Sequence, residues 1–167
     1  MKKISLGIVL LLPFIFWAIV CIYKSITFDL NCGDRIKRAA DANTIELATK
    51  EMEAVVNYIE VEGMINGYTS IIYRTPNEDV TFWYNNLKSS LEELKKVNPE
   101  ASQLEKSNLL MKLRETLLDH GSDGVKVTAP SGISKYPSNT AYAVWLWIGI
   151  ILLISGVILI AFGKEEL

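Results

Sequence analysis

The sequence predicts a mainly α-helical membrane protein, in which two transmembrane helices flank a small domain of three to four helices packed as a bundle, with a minor β-ribbon as a possible addition. Three observations carry this prediction. Ala141 to Phe162 contains no charged residue, and at about 1.5 Å per residue it spans roughly 30 Å of hydrocarbon. Ile4 to Tyr23 is a second uncharged run near the other end. Between them, apolar residues recur at alternating spacings of three and four, the period of packed helices. The chain is therefore divided into a first span (4–23), a polar middle domain (24–140), a second span (141–162) and a short tail (163–167).

The totals bound what the middle domain can be. In 167 residues with two spans, only one small core fits. The chain holds 17 Lys and Arg against 19 Asp and Glu; setting aside Lys2, Lys3, Lys164, Glu165 and Glu166 leaves 14 against 17 in the middle segment. So even a balance gives no electrostatic footprint for nucleic acid, and none is expected as a partner. Cys21 and Cys32 cannot supply the disulfide framework of a small secreted scaffold.

Met1-Lys2-Lys3 followed by an apolar run resembles the start of a secretory signal, but the run is long for one and no small-x-small cleavage site follows. An uncleaved anchor is expected, kinked at Pro13. Lys2, Lys3 and Lys164 place both termini in the cytoplasm and the middle domain outside it. Lys24, Arg35, Lys37 and Arg38 pull the other way, although long loops translocate largely regardless of charge. Phe14, Phe16, Trp17 and Tyr23 at one span and Tyr142, Trp145 and Trp147 at the other form an interfacial aromatic belt on the domain side.

In chain order, Ser25 to Asn31 reads as a junction, and a helical pattern runs from Gly33 to about Glu62 with Ile45, Ala48, Met52, Val55 and Ile59 as its seam and Gly63 as its stop. Gly63 to Thr75 reads as a packed connector with a turn at Asn66-Gly67 and strand formers from Tyr68 to Tyr73. Thr75-Pro76-Asn77-Glu78 has the form of a capping box for a second helix with the seam Val80, Tyr84, Leu87, Leu91 and Leu94, ending at Asn98-Pro99. Ser102 and Glu105 cap a third, carried by Leu104, Leu110, Leu113 and Leu117 to Asp119 or His120. Val125 to Thr128 alternates like a short strand, with Tyr68 to Tyr73 as the expected pairing partner.

Chemistry is hard to find in this inventory. The single histidine, His120, belongs to Asp119-His120-x-x-Asp123, which lacks the further ligands of a closed metal site, and it reads better as a cation near a helix C-terminus. No phosphate loop, Cys-x-x-Cys or His-Glu-x-x-His stretch occurs, so neither an enzyme nor a bound cofactor or metal is expected. Two features point to contacts instead. Phe82-Trp83-Tyr84 places three aromatics about 100° apart on a helix, so they cannot all serve one seam, and at least one is offered to a partner, a ligand or a membrane surface unless all pack into surrounding core. Gly149, Gly156 and Gly163, with Ser155 beside the second, form a stripe of small residues on the second span, suited either to packing on the first span or to self-association.

The plan of short start, span, helical extracytoplasmic domain and span resembles the sensing half of bacterial chemoreceptors and sensor kinases. Cys32-Gly-Asp-Arg-Ile-Lys-Arg-Ala-Ala-Asp-Ala-Asn43 and Glu105-Lys-Ser-Asn-Leu-Leu-Met-Lys-Leu-Arg-Glu-Thr116 are similar to runs in small uncharacterised bacterial two-span membrane proteins, a resemblance that implies no activity. Only Gly163 to Leu167 follows the second span, so no transmitter of its own is expected. The resulting expectation is an integral protein of the plasma membrane, in contact with the lipid bilayer and with a protein partner or further copies of itself, acting as an accessory or assembly subunit; the alternative is a ligand-binding sensor module that signals through a partner's membrane helices.

Overall fold

The computed structural model describes residues 2–121 and 124–164. The elements are α1 (Lys2–Phe28), α2 (Asp34–Ala40), α3 (Ile45–Val61), α4 (Val80–Lys95), α5 (Gln103–Leu117), β1 (Leu118–Gly121), β2 (Gly124–Val127) and α6 (Asn139–Lys164), with a π-helical segment at Asp29–Gly33 and single 3-10 turns at Pro76–Glu78 and Ile133–Lys135. They form two compact units, Met1–Ser25 with Ser138–Leu167, and Ile26–Pro137.

In the first unit α1 and α6 are both long and apolar enough to cross a membrane. Only 6% and 11% of their most apolar stretches are buried, whereas the core helix of a soluble protein would be mostly buried. The junction expected at Ser25 to Asn31 does not interrupt the helix. No glycine or proline occurs there before Gly33, and the chain widens into the π-helical segment, where the Asn31 amide donates to the Thr27 carbonyl at 2.8 Å.

The second unit builds one core from α2 to α5. The long helix expected from Gly33 to Glu62 is two helices. Asp41 to Asn43 break the pattern, and the Thr44 hydroxyl accepts from the Leu47 N–H at 3.3 Å to start α3. Ile36, Ala39 and Ala40 of α2 are buried with Ala48 and Met52 of α3, the small side chains allowing close approach. Glu51, buried in α3, accepts from Arg35 at 3.0 Å and Arg38 at 2.7 Å of α2, so its charge is doubly paired. Gly63 ends α3 at φ +72°, and the bonds Gly63 N–H to Glu60 O and Met64 N–H to Ile59 O close a Schellman turn that buries Met64.

The start of α4 lies one turn later than the capping box implied. Thr75 does donate to Glu78, at 2.6 Å, but the turn they close is 3-10, and Asp79 caps α4 by accepting from the Phe82 N–H at 3.0 Å. Val80, Tyr84, Leu87, Leu91 and Leu94 are all buried. Tyr84 reaches Glu60 and Lys95 reaches Glu53, so α3 and α4 run antiparallel. The Ser102–Glu105 capping box opens α5.

The third helix stops at Leu117, short of Asp119. Leu118 to Gly121 pairs antiparallel with Gly124 to Val127, with Leu118 opposite Val127 and Asp119 opposite Lys126, and the Thr128 N–H extends the ladder to the Leu117 carbonyl. The pairing expected between Val125–Thr128 and Tyr68–Tyr73 is therefore not made: the local hairpin takes the strand, at a far smaller loop-closure cost. Tyr68 makes only an isolated bridge to Asp79.

This core predicts a sharp contrast between two truncations. Met52→Ala, at a position with no exposure, is expected to destabilise by about 2–5 kcal/mol, and Leu104→Ala, 70% exposed, by no more than about 0.5 kcal/mol, in denaturation of the full chain in detergent followed by circular dichroism.

Candidate functional site

The three successive aromatics of α4 have three different fates. Trp83 is buried, and its indole N–H donates to the Thr128 carbonyl at 2.8 Å, tying the chain after β2 to the helix. Tyr84 is buried on the seam, with its hydroxyl donating to Glu60 at 2.6 Å and accepting from Lys88 at 2.9 Å. Phe82 is 64% exposed. Of the sequence-derived contact residues, Phe82 is the one whose ring is free to meet anything outside this chain.

Phe82 lies on the wall of a cleft of about 630 Å³ between the start of α4 and the hairpin, which Asn77, Asp79, Asn86, Asp119 and Lys126 also line. Two of its acids already have structural work: Glu78 accepts from Thr75, and Asp79 caps α4. Asp119 and Lys126 are opposite one another in the hairpin, so both side chains project from the same face. Beside the Asp119 and Lys126 pair, the cleft holds an apolar ring flanked by the carboxamides of Asn77 and Asn86, suited to holding a flat or apolar group and to hydrogen bonding its edge.

His120 does not join this cleft. It is in β1 and not at a helix end, and alternation turns it to the face opposite Asp119. Asp123, the other half of the imagined metal loop, lies outside the described residues. Among the described residues no three His, Cys, Asp or Glu side chains are grouped to hold a metal ion.

Electrostatics around the seam are local. Glu60 is held below the usual carboxylate range, first by the Tyr84 hydroxyl and then by Lys88, and Lys88 is raised by the same two partners. Burial pushes the Cys32 thiol up to about 12, with Asp29 adding to it, so Cys32 is a core residue and not a nucleophile. Burial likewise raises Tyr58 to about 12.

In the first unit, the small-residue stripe is used within the chain. A Cβ at Gly7 would stand 2.7 Å from the Gly156 carbonyl oxygen, and one at Gly156 would stand 2.7 Å from that of Gly7. Gly149 meets Phe14, and Gly163 meets Lys3 and Ile4. The Trp17 indole N–H donates to the Tyr142 carbonyl at 3.0 Å, and Phe14 stacks on Trp17 at 5.8 Å. Ser155 turns its hydroxyl back to the Ile151 carbonyl of its own helix. These contacts set the small-residue side of α6 against α1.

A surface that the sequence reading missed lies on α5. Leu113 and Leu117 are buried, but Leu104 and Met111, seven residues apart, share the opposite side of the helix and are 70% and 60% exposed. The signal was present in the spacing: six residues from Leu104 to Leu110 break the phase of a single seam.

Comparison with protein-family models, curated proteins and solved structures finds no match to this chain.

Two expectations follow from these contacts. Tyr84→Phe removes the main group that lowers Glu60, so the carboxyl should titrate closer to its ordinary value in an NMR pH series. The folded pKa of Glu60 is depressed, so its contribution to stability exists above the unfolded carboxylate pKa and is lost as pH falls through the folded one; the variant should narrow that acid-side window. Second, Gly163 and Lys3 bring their Cβ positions to 3.3 Å, a small shift from disulfide range, so Lys3→Cys with Gly163→Cys in a Cys21→Ala background should crosslink within one chain. Adding Gly156→Leu should abolish that crosslink, as judged by non-reducing electrophoresis and mass spectrometry.

Proposed function

We propose that this chain is an integral membrane protein whose two apolar helices cross one bilayer as a hairpin. Its bundle-type domain, on the extracytoplasmic side, acts through protein contacts as an accessory or assembly subunit of a membrane complex. The membrane half of this reading is supported by the outward faces of α1 and α6, where Leu6, Val9, Leu12, Phe16, Ile151 and Ile158 are among the exposed side chains, a surface suited to lipid and unsuited to water. The close glycine contact also favours retention of α1, since Gly7 and Gly156 fit each other and a removed leader would leave that fit unused. Lys2, Lys3 and Lys164 support cytoplasmic termini.

The single observation that carries the subunit role is the second apolar side of α5. A helix that buries Leu113 and Leu117 inward and holds Leu104 and Met111 outward has a stripe to offer another helix, whether from a different chain or from a second copy. A second reading, a ligand-binding sensor, is favoured by the Phe82 cleft.

Purification of the full chain from its native membrane in mild detergent tests the first reading. A stoichiometric partner should be recovered, and Leu104→Lys with Met111→Lys should lower that recovery at least tenfold, corresponding to about 1.4 kcal/mol, while leaving thermal unfolding unchanged. Undiminished recovery removes α5 as the contact. A small molecule that raises the unfolding temperature of the wild-type chain and not of Phe82→Ala would instead establish the sensor reading.

A further inference from the structure

The connector between α3 and α4 holds the most exposed large apolar side chain among the described residues, Ile72, at 82%. Its neighbours Ile71 and Tyr73 are also exposed, the latter at 77%, and Val61 and Ile65 add to the same end of the domain. Scattered exposed apolar residues are ordinary on a protein surface, but three in succession at a loop tip are a patch that calls for a covering.

The chain itself indicates what lies nearby. The ring of Phe28, just inside the start of this unit, packs edge-on against Tyr58 in the last turns of α3, with centroids 6.5 Å apart. Tyr136, just before its end, donates its hydroxyl to the Asn66 carbonyl, five residues past the end of α3. Both points where the chain passes to the apolar helices are thus anchored at the C-terminal end of α3: α1 runs on into Phe28, and α6 begins at Asn139, three residues beyond Tyr136. The loop turns beside that anchor, because Gly67, Ser70, Ile71, Ile72 and Arg74 line one depression of about 390 Å³. The Arg74 guanidinium lies 5.5 Å from the centre of the Tyr68 ring, so a cation is held directly next to the apolar tip. An apolar tip, an aromatic and a flanking arginine are the components of a segment that settles at a lipid interface, with its methyl groups among acyl chains and its cation among phosphates.

We propose that Ile71-Ile72-Tyr73 dips into the interfacial layer of the same bilayer that α1 and α6 cross, with Arg74 at the level of the lipid phosphates. The proposal rests on the membrane-spanning reading of those helices. The bilayer is the occupant because Phe28 and Tyr136, the residues next to the two chain connections to the apolar helices, are both held near this end of α3.

Site-directed spin labelling of the full chain in vesicles of phosphatidylcholine and phosphatidylglycerol tests it. In a Cys21→Ala background, separate labels are placed at Ile72→Cys, at the exposed Ser89→Cys on α4 and at the exposed Ile19→Cys on α1. Collision with oxygen, which concentrates in lipid, is compared with collision with a water-soluble nickel complex. The labels at positions 72 and 19 should favour oxygen, and the label at 89 should favour nickel. A position 72 label that favours nickel while position 19 favours oxygen overturns the proposal and leaves the spans standing. A position 19 label that favours nickel overturns the spanning reading itself. Protection of position 72 from both reagents marks a protein covering the loop and overturns the lipid assignment.

Discussion

The domain depends on the apolar contact between α3 and α4. Met52, Val55 and Ile59 on one helix and Val80, Tyr84, Leu87, Leu91 and Leu94 on the other are all buried, and each helix alone would leave that stripe in water. Burial supplies attraction without direction, and the direction comes from polar ends. Tyr84 to Glu60 near one end and Lys95 to Glu53 near the other fix the antiparallel register. The Schellman turn at Gly63 and the Asp79 cap satisfy the facing termini. With that pair set, α2 docks through Glu51 and its alanines, and α5 closes the core through Leu113 and Leu117.

The same logic explains which parts of the fold were legible in the sequence. Periodic seams were legible because a helix repeats its buried face, so Ala48 to Ile59 and Val80 to Leu94 announced themselves. Helix ends were harder where two signals competed. Thr75-Pro76 has every mark of a start, yet the turn it opens is 3-10, because Asp79 offers a second cap one turn later. At Leu117 the competition was between continuing a helix and pairing with Gly124 to Val127, and spacing along one strand cannot reveal its partner. The break at Asp41 to Asn43 was hidden because the alanines before it suit a helix and the seam after it begins at once.

The candidate sites were partly legible for a related reason. Successive residues about 100° apart on a helix cannot share one environment, so Phe82, Trp83 and Tyr84 had to differ, but which of them is buried depends on tertiary partners: Thr128 for the Trp83 indole and Glu60 for the Tyr84 hydroxyl. With those two satisfied within the chain, Phe82 is the exposed aromatic on the cleft wall, beside Asn77, Asn86, Asp119 and Lys126. The glycine stripe shows the converse case. Its spacing was plain, and the ambiguity lay in which helix it served; within the chain, Gly7 and Gly156 approach each other.

The two apolar helices and the domain pose opposite solvent problems. On the proposed membrane-spanning reading, side chains in lipid gain nothing by leaving the hydrocarbon, so association of α1 with α6 has to come from close packing, and glycine permits it by letting each backbone carbonyl stand where a side chain would otherwise be. In water, the domain excludes large apolar groups into its core, and every one left outside is a cost that a partner or a surface can recover. Among the described residues, the outward side of α5, the Phe82 wall and the Ile71 to Tyr73 tip retain that cost. The first two are on regular helix, where a rigid face can be matched by another rigid face. The third is a loop tip with an arginine behind it, which a yielding surface such as a lipid interface accommodates better than a packed protein does.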